Sequence, residues 1–235
     1  MPGIPCRAVL ERIETLSYNV RGFRVRLKEP VALEFKAGQF MIVNVPHEGK
    51  VVKRAYSIAS PPYEPGVVEF CIQKVDGGTA STYFWGLKEG QEMSVNGPHG
   101  NFILKEPLDY IPVFMATGTG VAPFRAMIKD LLHRNFTKDM WLLFGCRYEH
   151  ALLYESEFRS LASMRHNFHF VPTVSRPKDW HGETGHIQQT FPKLIPEVAG
   201  KEIYVCGWLQ IVKAICADLE QQGVPRAQIH YEEWA

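Results

Sequence analysis

Four short stretches of this 235-residue chain gather residue types that bind phosphates or flat rings. The first is Ala116-Thr117-Gly118-Thr119-Gly120-Val121-Ala122-Pro123, set between an apolar run and a helical pattern. Glycines at such a junction let a ligand approach the backbone, and a helix start offers free N–H groups to an anion. The full G-x-G-x-x-G spacing is missing, so a tight packing turn is the competing reading. The second stretch, Arg54-Ala55-Tyr56-Ser57, puts a guanidinium, an aromatic ring and a hydroxyl within four residues. In a strand Arg54 and Tyr56 share one side, which suits a phosphate next to a stacked ring, though a surface Arg beside a half-buried Tyr reads the same way. The third, Asp76-Gly77-Gly78-Thr79-Ala80-Ser81-Thr82, is a glycine turn feeding a helix, with Thr79 the expected N-cap. The fourth, Val205-Cys206-Gly207, closes an apolar strand; its thiol is either a ligand contact or an inert buried side chain.

Two different rhythms position these stretches. Residues 8–16, 20–27, 40–45, 54–59 and 67–75 read as short strands, with turns at Gly22, Glu29-Pro30, Gly38, 47–50 and Pro61-Pro62. In the last of these strands Val67, Glu69, Cys71 and Gln73 alternate with Val68, Phe70, Ile72 and Lys74, a pattern for one buried face. A helix is expected over 79–88. From residue 110 onward apolar strands alternate with helices: strands at 111–117, 140–144, 168–174, 203–206 and 228–232, helices at 121–135, 154–164 and 209–222. Val121, Phe124, Ile128 and Leu131 line one helix face, and Pro123 fits that helix's first turn. Gly223 and Pro225 end the last helix. The expected fold is therefore two domains: a small antiparallel β-barrel over 1–106, then an α/β domain over 107–235 whose parallel sheet carries helices on both faces. In such sheets ligands bind beyond the carboxyl ends of the strands, where the first and fourth stretches fall.

Composition removes several classes. The formal net charge is +1 with no basic run, which argues against a nucleic-acid partner. The five cysteines form no C-x-x-C pair, so neither a disulfide framework nor a zinc or iron–sulfur site is expected. No apolar stretch is long enough for a membrane span, and residues 1–6 have no signal-peptide pattern, which makes the cytoplasm the expected location.

Taken in order, Arg54-x-Tyr56-Ser57, Gly77-Gly78-x-x-Ser81, Gly118-Thr119-Gly120-Val121-Ala122-Pro123, Phe144-Gly145-Cys146-Arg147, Cys206-Gly207 and the C-terminal Glu232-Glu233-Trp234 resemble the motif set of the ferredoxin–NADP reductase superfamily. The resemblance runs from about residue 8 to 234. It implies a flavin on the barrel: Arg54 on the flavin phosphates, Tyr56 on the ring system, Ser57 at its N5, main chain near Ile72 and Lys74 along the ribityl path, and Gly78, Ala80 and Ser81 on the pyrophosphate. The absence of an Arg from that last segment points to FAD rather than FMN, and 97–102 is similar to the turn that closes the barrel. In the α/β domain the resemblance assigns Gly118, Thr119, Gly120 and Arg147 to a nicotinamide nucleotide, with Cys206 and Gly207 beside the reacting ring. Glu232 would sit near Ser57, and Trp234 would cover the flavin, although Ala235 follows it. Ser175 and Arg176, with Lys178 nearby, match positions that read a 2′-phosphate and favour NADPH over NADH. Trp208-Leu209-Gln210-Ile211 departs from the family, which usually places Pro, Ser or Asn after its Cys-Gly and a Met before the helix.

The implied activity is electron transfer between NAD(P)H and a one-electron carrier such as ferredoxin or flavodoxin, with Ser57, Cys206 and Glu232 the residues nearest the chemistry. Two alternatives share these motifs: the reductase component of a multicomponent oxygenase, and a flavin relay subunit that binds no nicotinamide. The Gly118 loop argues against the relay.

Overall fold

The computed structural model describes residues 3–234, which form two compact units. One comprises the described residues through Leu104 together with Ala122–Arg134, and the other Lys105–Val121 with the described residues from Asn135 onward.

The first unit is an antiparallel sheet of β1 (Ile4–Ser17), β2 (Val20–Glu29), β3 (Phe40–His47), β4 (Lys50–Ser57), β5 (Val67–Gln73) and β6 (Glu92–His99), in the order β4-β3-β6-β1-β2-β5. The outer strands meet at the Ile58–Phe70 bridge, where the Ala59 N–H donates to the Glu69 carbonyl at 2.8 Å, and this curls the sheet into a barrel. Alternating Cys6, Ala8 and Leu10 of β1 and Phe23, Val25 and Leu27 of β2 fill it. Helix α1 (Thr79–Gly86) adds Phe84, whose ring lies 4.9 Å from that of Phe23.

Several expectations change here. Gly22 lies inside β2, and the chain reverses at Tyr18 and Asn19. Thr79 is the first helical residue of α1; Gly78 is the N-cap and no side chain caps it. Residues 97–99 end strand β6, which had not been expected. A Cβ at Gly97 would lie 2.3 Å from the Met41 sulfur, so a side chain there would force Met41 to shift. Strand β5 is buried on both faces, including Glu69 at 7% exposure. The cause is helix α2 (Val121–His133), whose Arg125 donates to the Ala59 carbonyl at 2.9 Å and stands 3.3 Å from the Glu69 carboxylate.

The second unit is a wholly parallel sheet of β7 (Ile111–Thr117), β8 (Met140–Cys146), β9 (Phe168–Val174), β10 (Glu183–Thr184), β11 (Lys201–Trp208) and β12 (Ile229–Trp234), ordered β10-β9-β8-β7-β11-β12. The chain leaves β7 in one direction for β8 to β10, then returns to the other side for β11 and β12, so the strand order switches between β7 and β11. Helices α3 (Glu155–Met164), α4 (Ile187–Leu194) and α5 (Leu209–Gln221) cover it. One row across the sheet, Phe170-Leu142-Phe114-Tyr204, faces the side on which α3 places Phe158. The next row, Val171-Leu143-Met115-Val205, packs with the apolar residues of α4 and α5. Helix α4 was not expected, because Pro192 lies inside it; His186 and Gln189 form a capping box, and Ile187 and Phe191 are buried. At the amino ends of the strands, buried Glu202 takes Lys105 at 2.5 Å and His230 at 2.7 Å. Burial alone would raise its pKa, but those two partners hold it below the usual carboxylate value.

Candidate functional site

On the barrel, β4 carries Arg54, Tyr56 and Ser57. Arg54 is exposed, and its guanidinium donates to the neighbouring Lys53 carbonyl. Tyr56 is half-buried, 5.4 Å edge-on to Phe84 and 6.1 Å from Phe70, and burial pushes its hydroxyl pKa up. Ser57 pairs with Phe40 and is partly exposed. Ile72 is buried, while the Lys74 N–H donates to Asn19. In the glycine turn before α1, Ser81 is buried and its hydroxyl is already committed. It accepts the Val75 N–H at 3.1 Å and lies 3.0 Å from the Val75 carbonyl and 3.1 Å from that of Gly78. Ser81 therefore shapes the turn, and Ala80 packs into the core. What the turn presents is backbone: the first-turn N–H groups of a helix have no intrahelical partner. Gly77 has a φ of +70° and open space where a Cβ would stand. A cleft of about 500 Å³ adjoins this turn, lined by Pro46, His47, Gly77, Thr79 and Tyr83 among others. An exposed guanidinium, a ring, a phosphate-sized cradle and adjoining room for a nucleoside fit FAD.

In the parallel sheet, Gly118–Gly120 form a 3-10 turn at the carboxyl end of β7, leading directly into α2. Gly118 has a φ of +53° with nothing within 4 Å of the Cβ position, so its backbone is open to a ligand. Gly120 is the reverse: a Cβ there would lie 2.2 Å from the Cys206 carbonyl oxygen. Gly207 is pressed against Thr117, whose hydroxyl oxygen would be 2.3 Å from a Cβ. Two glycines thus bring the ends of β7 and β11 together at the switch point, where a dinucleotide crosses such sheets. Cys206 is 1% exposed and opposite Glu232 in register. Burial first, and the Glu232 charge second, raise its thiol pKa well above normal, so it is neutral. Trp234 is half-buried at the end of β12, opposite Trp208; Ala235 lies outside the described residues.

Beyond β8 and β9, Arg147 and Arg176 are exposed on adjacent loops joined by the Arg176 N–H to Arg147 carbonyl bond at 2.8 Å. Ser175 donates its N–H to the Cys146 carbonyl at 3.0 Å. Glu149, missed in the sequence, accepts the Asp179 N–H at 3.1 Å and ties the second loop to the first. Bonds from backbone N–H groups keep its carboxyl pKa low. A carboxylate just after the β8 loop was the available signal.

Comparison with known proteins agrees with this geometry. Residues 7–103 match the family model of an oxidoreductase FAD-binding domain, and 114–217 that of an oxidoreductase NAD-binding domain. Ferredoxin–NADP reductase B of Sorangium cellulosum is 34% identical, with 98% of each chain covered. The chain belongs to the ferredoxin–NADP reductase family. Like that family it is an FAD-carrying oxidoreductase that exchanges electrons between NAD(P)H and a one-electron carrier. The phenol hydroxylase P5 protein of Acinetobacter pittii is 33% identical over 97% of this chain, which spans 65% of that protein's length. Among solved structures, the Amycolatopsis cytochrome P450 reductase GcoB superposes with a TM-score of 0.90 at 27% identity, covering 98% of this chain and 70% of that one. A Neisseria gonorrhoeae ferredoxin NADP+ reductase with bound FAD and NADP shares the ferredoxin–NADP reductase fold at a TM-score of 0.84, with 20% identity and 98% of each chain covered. Among the described residues no helix is long and apolar enough to cross a membrane.

Proposed function

We propose that the protein uses NADPH in preference to NADH and passes the electrons to a small soluble carrier such as a ferredoxin or flavodoxin. The observation that carries the nucleotide choice is the pair of exposed guanidiniums, Arg147 and Arg176, on loops bonded to each other beyond β8 and β9. Two forked donors suit a 2′-phosphate, and Lys178 adds charge. The whole-length similarity to a ferredoxin–NADP reductase supports the carrier. The five free cysteines fit a reducing compartment such as the cytoplasm.

A bound flavin would supply the cofactor's own chemistry, hydride acceptance from nicotinamide and release of electrons one at a time. The protein's share is orientation, a contribution of roughly 7–11 kcal/mol where two reactants are well aligned. In this reading Arg54 holds the flavin phosphates, Tyr56 backs the ring system and Ser57 offers its hydroxyl to N5. Main chain at Ile72 and Lys74 lines the ribityl path, and the open backbone at Gly78 with the N–H groups of Ala80 and Ser81 meets the pyrophosphate. Gly118, Thr119 and Gly120 receive the nucleotide's phosphates, and Ser175 flanks the 2′-phosphate. Cys206 and Gly207 border the nicotinamide, and the buried, neutral thiol adds no charge there. Glu232 and Trp234 stand at the carboxyl end of β12, in register with Cys206 and Trp208 of β11. The barrel is the region over 1–106 and the nucleotide domain that over 107–235.

The test is anaerobic flavin bleaching by each nucleotide, followed by mixing with the carrier. Arg176→Gln should raise the NADPH KM about tenfold or more, the worth of one charge-assisted bond, and leave NADH unchanged. Equal bleaching by both nucleotides would remove the preference. Reduced protein that ferredoxin and flavodoxin fail to reoxidise would favour the second reading, an oxygenase reductase component, which the likeness to the phenol hydroxylase protein supports.

A further inference from the structure

One side chain at the ligand edge of the parallel sheet is used by nothing above. Trp208 ends β11, caps α5 and is 56% exposed. Three residues on, at the position that shares its helix face, Ile211 is 44% exposed. Helix α5 buries Val212, Ile215 and Leu219 against the sheet, so Trp208 and Ile211 are not part of that packing. Single exposed apolar residues are ordinary; an adjacent Trp and Ile on the ligand edge are not.

The backbone carrying this pair is held in place. Gly207 is pressed against Thr117, which ties the start of α5 to the Gly118–Gly120 turn. The sheet also sets a direction. Arg147 and Arg176 follow β8 and β9, on one side of β7, whereas Trp208 follows β11 on the other. A dinucleotide whose phosphates cross the switch point and whose adenosine end meets the arginines has its nicotinamide half on the β11 side. Cys206, at 1% exposure, has no flat surface to offer that half.

We propose that the Trp208 indole, backed by Ile211, is the platform on which the nicotinamide mononucleotide half rests, making Trp208 a positioning residue for the substrate. The proposal depends on reading this unit as the nucleotide site with the arginines at its adenosine end. The platform holds the half of the dinucleotide that lies away from the arginines of the β8 and β9 loops.

The experiment compares wild-type holoprotein with Trp208→Ala and Trp208→Phe. Calorimetry measures the binding of NADP+ and NAD+, and of 2′,5′-ADP and ADP, which lack nicotinamide. Trp208→Ala should weaken the dinucleotides about three- to tenfold, the range of one aromatic contact, and leave the fragments unchanged. Trp208→Phe should recover most of the loss. Dinucleotide affinity unaltered in Trp208→Ala overturns the proposal. So does an equal loss for dinucleotides and fragments, which marks a structural role, or a Phe variant as weak as Ala. Wild-type protein that binds no dinucleotide at all refutes the underlying nucleotide-site reading instead, and with it the platform.

Discussion

Replacing Gly120 by Ala tests whether the contact between β7 and β11 sets the geometry of the nucleotide site. The added methyl would stand 2.2 Å from the Cys206 carbonyl oxygen, 2.6 Å from its carbon and 2.8 Å from the Gly207 Cα. Carbon contacts are comfortable near 3.5 Å, so the turn and the strand must part by roughly 1 Å. All three obstructing atoms are backbone, in a strand hydrogen-bonded to β7 on one side and β12 on the other, so no side chain can swing away. Overpacking of this kind costs about 1–3 kcal/mol. At roughly 2–4 °C per kcal/mol for a chain of this size, the melting transition should fall by about 2–12 °C. A misplacement of about 1 Å also costs on the order of a hundredfold in rate. Gly118→Ala is the control: its methyl meets nothing within 4 Å, and at φ +53° it carries only backbone strain of about 1–2 kcal/mol. Calorimetry and anaerobic bleaching of the flavin by NADPH, read side by side, separate the two. Gly120→Ala should lose stability and the limiting rate; Gly118→Ala should lose stability and nucleotide affinity with the limiting rate kept. A Gly120→Ala protein that melts and bleaches like wild type would refute the argument.

Three further outcomes are expected. Ser81→Ala strips the Val75 N–H of its acceptor and should cost about 1–3 kcal/mol while loosening FAD, seen as free flavin on gel filtration; full flavin retention would show that the turn holds without the hydroxyl. Arg125→Ala removes the guanidinium beside the buried Glu69 carboxylate and its bond to the Ala59 carbonyl and should cost about 3–5 kcal/mol in urea unfolding, whereas a loss below about 1 kcal/mol would mean that other groups or solvent satisfy Glu69. Burial raises the thiol pKa of Cys206, and burial aided by Glu155 pushes that of Cys146 up to about 12. The folded protein then keeps protons that the unfolded chain loses around the ordinary thiol value of 9.0, so stability is intact below that pH and declines above it. Urea midpoints at neutral pH and in the alkaline range check the sign, and a midpoint that rises with pH would contradict it.

The parallel sheet was the most legible part of the chain. Val113 to Ala116 and Leu142 to Phe144 are buried on both faces, and such strands appear in sequence as unbroken apolar runs. Strand β6 was not legible, since between Glu92 and Asn96 only Met93 and Val95 point inward among polar residues. Strand β5 looked one-sided because Glu69 sits in its outer row; the Arg125 that buries it is remote in sequence and belongs to a helix. Pro192 hid α4, whose start is set by His186 and Gln189. At the site, the glycine loops were visible as loops. That Gly120 is required by the Cys206 carbonyl and Gly118 only by its positive φ is a difference that coordinates alone reveal. The exposure of Trp208 is of the same kind, since nothing local distinguishes it from a core tryptophan.

The switch in strand order between β7 and β11 also bears on the protein's birth. All six barrel strands have been made once His99 is joined, and α2 follows soon after. The Gly118–Gly120 turn, by contrast, has no Cys206 to close against until β11 is added near the end of the chain. At about 5–20 residues per second, that leaves one flank of β7 unpaired for on the order of ten seconds. During this interval a nascent chain has a complete flavin-binding barrel and no closed nucleotide edge. Acquisition of the coloured cofactor can therefore precede competence to be reduced, and a chain stalled before β11 would be yellow but inert to NAD(P)H.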